Sequence, residues 1–153
     1  DDDSAFNDPS PTSTLFSVGG SSSTNAGTMI AYCFAEKQGY SKFGSYVGNN
    51  NVDGTFVYTG FSPAFIMVKK TSASGNGWQL RDNKRTPYGN ETKNLMYASA
   101  TSAEQTTDGF DFLSNGFKWR NQAGDCNGNG DYIYMAFAEA PLVGTNDIPA
   151  TAR

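Results

Sequence analysis

Apolar and polar positions alternate over short stretches along this chain. β-Branched and aromatic residues fill the stretches, and clusters of Gly, Asn, Asp and Ser separate them. A period of two sends successive side chains to opposite faces of a sheet, so the pattern predicts strands. Ten strands are predicted, over residues 14–18, 28–35, 42–47, 55–61, 64–70, 78–82, 95–99, 110–113, 116–120 and 132–138. Residues 99–107 could form a helical turn or two at most.

The spacing of these strands predicts the fold class. Ten short strands separated by turns favour an all-β fold, an antiparallel two-sheet sandwich of the jelly-roll type that buries the inner faces of both sheets together. Asn115-Gly116 predicts a two-residue hairpin of type I′, which requires positive φ at both central positions. The sandwich is expected over residues 13–140. Residues 1–12 and 141–153 are predicted to be extended terminal arms.

One strand pattern occurs twice in the sequence. Residues 30–36 (IAYCFAE) align with residues 133–139 (IYMAFAE), and a turn rich in Gly and Asn precedes each of them. Two such strands are expected to occupy related positions in the fold. The alignment sets Cys33 opposite Ala136, so Cys33 is predicted to be small, buried and free, whereas Cys126 falls in a turn. A bridge between the two cysteines stays open as an alternative.

Composition narrows the function classes. The chain has no histidine, which excludes Ser-His and Cys-His nucleophile pairs and histidine zinc sites. A net charge of −4 argues against nucleic acid as a partner. No apolar run approaches the roughly 20 residues of a membrane helix, so no membrane partner is expected. Because the chain begins with Asp, we expect a processed product or a piece of a longer polypeptide.

Several motifs in a fixed order resemble a known family. They are residues 14–19 (TLFSVG), 31–36 (AYCFAE), 39–46 (GYSKFGSY), 56–61 (FVYTGF), 112–118 (FLSNGFK) and 132–139 (YIYMAFAE). Together they resemble a domain of unknown function from phage genomes and metagenomes, associated with concanavalin-like (laminin-G-type) jelly rolls of virion-surface or tail-fibre proteins. The resemblance spans about residues 12–140. It implies an extracellular location on a virion or fibril surface, and no catalytic residues.

A segment of acidic and amide residues could hold a cation. Asp125, Asn127, Asn129 and Asp131 place oxygen atoms at alternate positions, like the front half of a calcium loop. The back half departs from that pattern, because Ala136 stands where an EF-hand carries its bidentate Glu. A Gly- and Asn-rich hairpin turn explains the same residues. We therefore predict no metal and no cofactor, with these four side chains as weak candidates.

Three aromatic residues could form a platform for sugar rings. Trp78, Tyr88 and Trp119 lie among Asn and Gly residues, whose amides and backbone could bond sugar hydroxyls. Packing in the core or at an interface accounts equally well for Trp78, which begins a predicted strand, and for Trp119, which alternates with charged residues. A glycan platform is thus the alternative hypothesis for these residues.

Two further patterns bear on glycoside cleavage and on N-glycosylation. The carboxylates of Asp82, Glu104, Asp108 and Asp111 could supply a pair for glycoside cleavage, but solvated or turn-forming roles are commoner for such residues. Asn90-Glu91-Thr92 has the form of an N-glycosylation acceptor, which matters only in a suitable secretory context. We predict that the chain is not an enzyme.

The N-terminal arm suggests self-assembly. An exposed sheet edge invites pairing, so an extended arm from a neighbouring copy could cover it and generate a ring or fibre. The arm residues of this hypothesis are Asp1, Asp2, Asp3, Phe6 and Asp8, and the docking surface on the adjacent copy is Lys69, Lys70, Arg81, Lys84 and Arg85. The leading expectation is a non-catalytic structural subunit of an extracellular assembly, a homo-oligomer or fibre. A carbohydrate- or receptor-binding module of a phage fibre is the alternative.

Overall fold

A computed structural model describes residues 5–6, 10–85 and 90–140 of the chain, except for the side chains of Thr107 and Asp108. Internal contacts divide the chain into two compact units, Asp1–Phe34 and Ala35–Arg153. Asp1, Asp2, Asp3, Asp8 and Tyr88 lie outside the described residues, as does the predicted C-terminal arm. In the described part, no helix has the length and apolar content needed to cross a membrane.

The second unit is built from eight antiparallel strands. They are β1 (Ser41–Gly48), β2 (Phe56–Tyr58), β3 (Pro63–Lys70), β4 (Gln79–Asp82), β5 (Thr92–Tyr97), β6 (Gln105–Leu113), β7 (Gly116–Arg120) and β8 (Gly130–Ala138). The order across the sheet is β1-β8-β3-β4-β5-β6-β7-β2. The sheet is nearly closed into a barrel. The last described strand in the sequence, β8, lies between β1 and β3.

The all-β, antiparallel prediction is confirmed, since strands make up 40% of the residues and helices 3%. The eight strands form one continuous order, and a two-sheet jelly roll is not confirmed. Two of the ten predicted strands are wrong: residues 14–18 and 28–35 form no strand. The expectation that residues 28–35 share a position with β8 is wrong for the same reason.

Side-chain alternation along β8 divides its residues between the core and the outer face of the sheet. Tyr132, Tyr134 and Ala136 point into the core, whereas Ile133 between them is 40% exposed. The predicted hairpin between β6 and β7 is present, with Leu113 paired to Gly116. Its two central residues are Ser114 and Asn115, and neither has positive φ, so the type I′ assignment was wrong.

Large aromatic side chains fill the core of the second unit. Their rings come from both halves of the curled sheet, and Tyr46 on β1 stacks on Tyr132 with centroids 5.0 Å apart and planes 9° apart. Each fully buried large apolar side chain contributes about 1.5–3 kcal/mol. The buried cluster is Tyr46, Val57, Phe61, Ile66, Val68, Phe110, Phe117, Trp119, Cys126, Tyr132, Tyr134 and Ala136.

Alternate connections of the sheet gather at one end of the second unit. Because the strands are antiparallel, residues 49–55, 71–78, 98–104 and 121–129 all leave the sheet at this end, which we call the loop end. Asn127 ties two of these loops together. Its buried amide donates from Nδ2 to Asn49 Oδ1 at 3.0 Å, Asn51 O at 2.9 Å and Asn121 O at 2.6 Å.

The first unit contains a short helix, α1 (Ser22–Asn25), capped by the side chain of Ser21, which accepts from the backbone N–H of Ser23. After α1, residues 28–34 are exposed although most of them are apolar. Ile30 is 79% exposed and Tyr32 is 80% exposed. Cys33 is exposed, which corrects the prediction of a buried residue, and Cys126 is buried within its turn. No disulfide joins these two cysteines.

Candidate functional site

A groove of ≈ 830 Å³ lies at the loop end of the second unit. Loops 71–78, 98–104 and 121–129 border it, together with the ends of β3, β5 and β6. The lining residues are Lys69, Gly75, Asn76, Gly77, Trp78, Tyr97, Ser99, Ala100, Ser102, Gln105, Gly124 and Asp125. The groove therefore combines an indole, a phenol, two side-chain amides, two hydroxyls, a carboxylate and an ammonium group.

Tyr97 and Asp125 form the polar centre of the groove. The phenol of Tyr97 donates a hydrogen bond to Asp125 Oδ2. Burial, followed by this hydrogen bond to a carboxylate, raises the pKa of Tyr97 to about 12. The phenol therefore keeps its proton at neutral pH. Asp125 is held in place by a neutral donor, and its second oxygen atom is left to accept from a ligand.

Close packing shapes the wall of the groove beside Tyr97. A Cβ atom on Gly77 would lie 2.4 Å from Cδ1 of the Tyr97 ring, so the loop can approach the ring only with glycine at this position. The backbone N–H of Trp78 donates to Ser99 Oγ at 3.2 Å, and the ammonium group of Lys69 donates to the backbone oxygen of Asn76. These bonds hold loop 71–78 in the position that presents Trp78.

The arrangement suits a ligand with both apolar faces and hydroxyl groups. Trp78 is half-buried, so part of its indole remains available at the groove surface. Asn76 and Gln105 carry amides that both donate and accept, and Ser99 and Ser102 add hydroxyls. Pockets of 300–1,000 Å³ with a few convergent polar groups are typical small-molecule sites.

Comparison with known protein families shows which family the chain belongs to. Residues 1–141 match the family described as Domain of unknown function (DUF7483). The chain belongs to the DUF7483 family. No curated protein and no solved structure matches the chain.

The groove of this DUF7483 domain unites residues that the sequence assigned to three different hypotheses. Trp78 was a candidate for the glycan platform, Asp125 for the cation site and Lys69 for the arm-docking surface. Trp119, the second platform candidate, is fully buried against Phe110 and Tyr46, so its assignment to a surface platform was wrong. Its place on the inner face of β7 explains the alternation with Lys118 and Arg120.

The four cation candidates of the DUF7483 domain do not converge. Asn127 is fully buried, and its Oδ1 accepts from the backbone N–H groups of Asn49 at 3.4 Å and Thr55 at 3.3 Å. Asn129 is exposed, while Asp125 points to Tyr97. Asp131 is exposed. In the described residues, no three His, Cys, Asp or Glu side chains are grouped to hold a metal ion.

The predicted docking surface loses one member to the core. Arg81 is fully buried, and its guanidinium carbon lies 5.6 Å from the ring centroid of Phe110 and 5.3 Å from that of Trp119. Its assignment to a surface for the acidic arm was wrong, because β4 turns Gln79 and Arg81 to the inner face of the sheet. The pattern of strand residues gave no sign of an inward-facing cation.

The other docking cations already have partners in the same unit. Contacts join Lys70 to the Tyr132 ring at 5.6 Å, Lys84 to Glu139, and Arg85 to Asp82 at 2.5 Å and Glu104 at 3.4 Å. Lys69 bonds to the backbone of Asn76. Of the arm itself, Phe6 is described and is 63% exposed. A docking arm would therefore compete with existing ion pairs.

The carboxylates weighed for glycoside cleavage are occupied by cations where they are described. Asp82 and Glu104 both contact Arg85, and Asp111 accepts from Arg120 Nε at 2.6 Å. Asp108 has no described side chain. The side chain of Asn90, the glycosylation candidate, also has hydrogen-bond partners within the domain.

Both amide atoms of Asn90 bond to the backbone of β6. Its Nδ2 donates to Phe112 O at 2.6 Å, and its Oδ1 accepts from Phe112 N at 2.9 Å. An attached glycan would have to replace this paired contact.

Sequence reasoning missed Tyr97, Asn76 and Gln105 as site residues. These three residues are separated by up to 29 positions and belong to different elements, so their proximity depends on the sheet order. One available signal was the loop pattern. In an antiparallel sheet every second connection lies at the same end, and all four such connections here are at least seven residues long. Two of the three that border the groove, 71–78 and 121–129, are rich in Gly and Asn.

Proposed function

We propose that this domain is a non-catalytic carbohydrate-binding module and that the loop-end groove is its sugar site. Trp78 carries the proposal, because a partly exposed indole borders a groove rich in amides and hydroxyls. A sugar ring has an apolar face that stacks on an aromatic ring and hydroxyls that bond to amides and carboxylates. Trp78 would stack on one ring, while Asn76, Gln105 and Asp125 bond its hydroxyls.

The charges in the groove favour a neutral sugar. The lining contains one cation, Lys69, and one anion, Asp125, so its formal charges balance and leave no excess of one sign for a charged ligand. The net charge of the chain, −4, further disfavours polyanions such as nucleic acid. A neutral oligosaccharide of a few rings is the ligand class that meets these conditions.

The proposed context is the outer surface of a phage particle or a fibril. A surface rich in uncharged Ser, Thr, Asn and Gly supports an extracellular location, as does the resemblance to phage domains associated with concanavalin-like jelly rolls. A sugar site on such a surface would attach the particle to a glycan-coated cell. The groove lies at the loop end of the sheet, so a sugar site there would stay accessible if strand edges pair in a larger assembly.

A structural role in an assembly is the second candidate. It is favoured by the run of exposed apolar residues at 28–34, which includes Ile30, Tyr32 and Phe34. Side chains of this kind usually mark a surface that contacts another protein. The two roles are compatible, since a module can bind a glycan through its loop end and associate through another segment.

A glycan array tests the sugar site. The wild-type chain is expected to bind a set of related neutral glycans, and Trp78→Ala is expected to lower the signal on that set at least tenfold through loss of stacking. The matched control is Tyr58→Ala, which removes an aromatic residue that is 63% exposed on β2, outside the groove. Circular dichroism of the three proteins verifies that each is folded.

Retention of glycan binding by Tyr58→Ala together with its loss in Trp78→Ala supports the groove. Equal binding by wild type and Trp78→Ala rejects it. A wild-type chain that binds no glycan on the array, while it is folded and soluble, rejects the carbohydrate function itself and leaves the structural role.

A further inference from the structure

The loop that precedes residues 28–35 shares a pattern of two backbone hydrogen bonds with the loop between β7 and β8. Thr24 N and Asn25 N donate to Ser21 O at 3.1 and 2.8 Å, and Cys126 N and Asn127 N donate to Ala123 O at 3.2 and 2.9 Å. The donors and the acceptor stand in the same order and spacing in both loops. Each loop therefore makes one helical turn with an asparagine as the donor four residues after the acceptor. The second loop adds a bond from Gly128 N to Ala123 O at 2.8 Å.

The asparagine side chains repeat the likeness. Asn25 Nδ2 donates to Gly19 O at 3.0 Å, and Asn127 Nδ2 donates to Asn121 O at 2.6 Å. In each case the acceptor lies six residues before the asparagine. A glycine with positive φ follows in both loops, Gly27 at 78° two residues after Asn25 and Gly130 at 140° three residues after Asn127. The second loop is one residue longer. The two loops thus agree in their side-chain bonds and in their exit.

The sequence on both sides of the loops agrees as well. Residues 14–18 come before the first loop, and β7 (Gly116–Arg120) comes before the second. After the loops, residues 30–36 match residues 133–139. Residues 14–36 therefore correspond to β7, its loop and β8. Two of the ten predicted strands fall on these segments, although the structure forms no strand there.

The sheet order explains why these segments form no strand. β7 pairs with β6 and β2, whereas β8 pairs with β1 and β3, so β7 and β8 are not neighbours. A polypeptide that holds equivalents of these two strands alone cannot pair them with each other in this topology. Their side chains remain exposed, as observed for Leu15 at 71% and Ile30 at 79%.

We propose that residues 14–35 are the last two strands of a second domain of the same fold, which precedes this one on the same polypeptide. In the described residues β8 is the last strand of the fold, and the equivalent segment here leads within a few residues into β1. A closing strand followed directly by an opening strand is the junction of two consecutive domains. The exposed apolar side chains of residues 28–34 then belong to the core and surface of the preceding domain.

The preceding domain has a core that differs from this one. At the inward positions of β8 stand Tyr132, Tyr134 and Ala136, and the equivalents are Met29, Ala31 and Cys33. An alanine in place of Tyr134 would leave a void beside Tyr46 and Phe117, which contact that ring here. Complementary larger residues are thus expected on the strands that face Ala31. This inference stands independently of the proposed sugar site.

A tandem fusion tests the proposal. Residues 35–116 are joined to residues 15–153, so that residues 15–35 follow β6 of an added copy in the place of β7 and β8. Cys33 then takes the position of the fully buried Ala136. Its rate of reaction with a thiol reagent is expected to fall at least tenfold relative to the unfused chain. A second fusion with Ser17→Trp and Ala31→Tyr restores the inward side chains of Trp119 and Tyr134 and guards against a core too poorly filled to fold.

Two substitutions in the second fusion test the strand register. Cys33→Arg places a charge at an inward position and is expected to remove one of two unfolding transitions in calorimetry. Tyr32→Arg changes an outward position and is expected to keep both transitions, with Cys33 still protected. In the unfused chain, neither substitution is expected to shift the unfolding of the second unit, which contains the whole buried cluster.

Protection of Cys33 in either fusion, with the difference between the two arginine variants, supports the proposal. The proposal is overturned if Cys33 reacts as fast in both fusions as in the unfused chain. It is also overturned if Tyr32→Arg and Cys33→Arg have the same effect, because a strand at the β8 position must distinguish its two faces.

Discussion

The guanidinium carbon of Arg81 lies 5.3 Å from the ring centroid of Trp119, and both side chains are fully buried. The ring centroid of Phe110 lies 5.6 Å from the same guanidinium carbon. The guanidinium also donates to the backbone oxygen of Thr92 and to Gln79 Oε1, each at 3.4 Å. Arg81 is therefore a core residue, whose planar cation packs against two aromatic rings as a large apolar side chain would.

Replacement of Arg81 is expected to destabilise the domain. Arg81→Ala removes one of the largest buried side chains and is predicted to lower the free energy of unfolding by about 3 kcal/mol, in the range of large-to-small core substitutions. Urea denaturation measures the change. Lys93→Ala, on the exposed face of β5, is the control and should stay within about 0.5 kcal/mol of wild type. A neutral Arg81→Ala would contradict the buried position.

Asn127 is expected to matter more than the neighbouring Asn129. Asn127→Ala removes five side-chain hydrogen bonds, four of which join loop 121–129 to loop 49–55. We predict a loss of about 2–4 kcal/mol, because buried partners are left unsatisfied. Asn129→Ala, at an exposed position, should be nearly neutral. Thermal or urea unfolding of the two variants measures the difference. Similar stability of both variants would argue against the buried network.

Much of the fold could be predicted from alternation. The inward residues of β8 and the hairpin of β6 and β7 follow from local pattern alone, and eight of the ten predicted strands are present. The sheet order could not be predicted, since pairing depends on contacts between distant segments. Residues 28–35 show the limit most clearly. They have the pattern of β8, but a strand also needs partners, which the pattern of one segment does not specify.

The candidate site was predictable only in parts. Trp78 and Asp125 were named from the sequence, each for a different reason, but the fold was needed to place them in one groove. Arg81 and Trp119 were misassigned for a common reason. A charged residue, or an aromatic between two charged residues, suggests a surface in sequence terms, whereas strands β4 and β7 turn these two side chains inward.

Alkaline pH is expected to destabilise the domain. Burial, as the largest cause, raises the pKa of Tyr97 and of Tyr132 to about 12, above the ordinary value of about 10 that the unfolded chain has. Below pH 10 both phenols are protonated in the folded and the unfolded state, and their full contribution to the free energy of unfolding is present. Between about pH 10 and 12 the unfolded state loses protons that the folded state keeps, so the free energy of unfolding falls as pH rises.

Urea denaturation at pH 9, 10.5 and 11.5 measures this fall. Tyr97→Phe cannot titrate at this position, so its free energy of unfolding should decline less steeply with pH than that of wild type. If the two proteins show the same slope, Tyr97 does not have the raised pKa that burial and Asp125 explain.

The two cysteines are expected to react at very different rates. Cys33 is exposed, whereas Cys126 is buried and its Sγ donates to Asn121 Oδ1 at 3.3 Å. A thiol reagent should modify one group rapidly in the native chain and the second only after unfolding in denaturant. Cys33→Ser should remove the rapid phase and leave the slow one. Equal rates for both thiols would contradict this difference in exposure.

The central claim, a sugar site at Trp78, is tested most directly by tryptophan fluorescence. The chain has two tryptophans, and the second, Trp119, is fully buried away from the groove lining. Titration with the neutral oligosaccharide that binds best on the array should change the emission of wild type in a saturable way. Trp78→Phe retains a ring for stacking but should show no change, although calorimetry still detects weakened binding. The same emission change in Trp78→Phe as in wild type would contradict a site at Trp78.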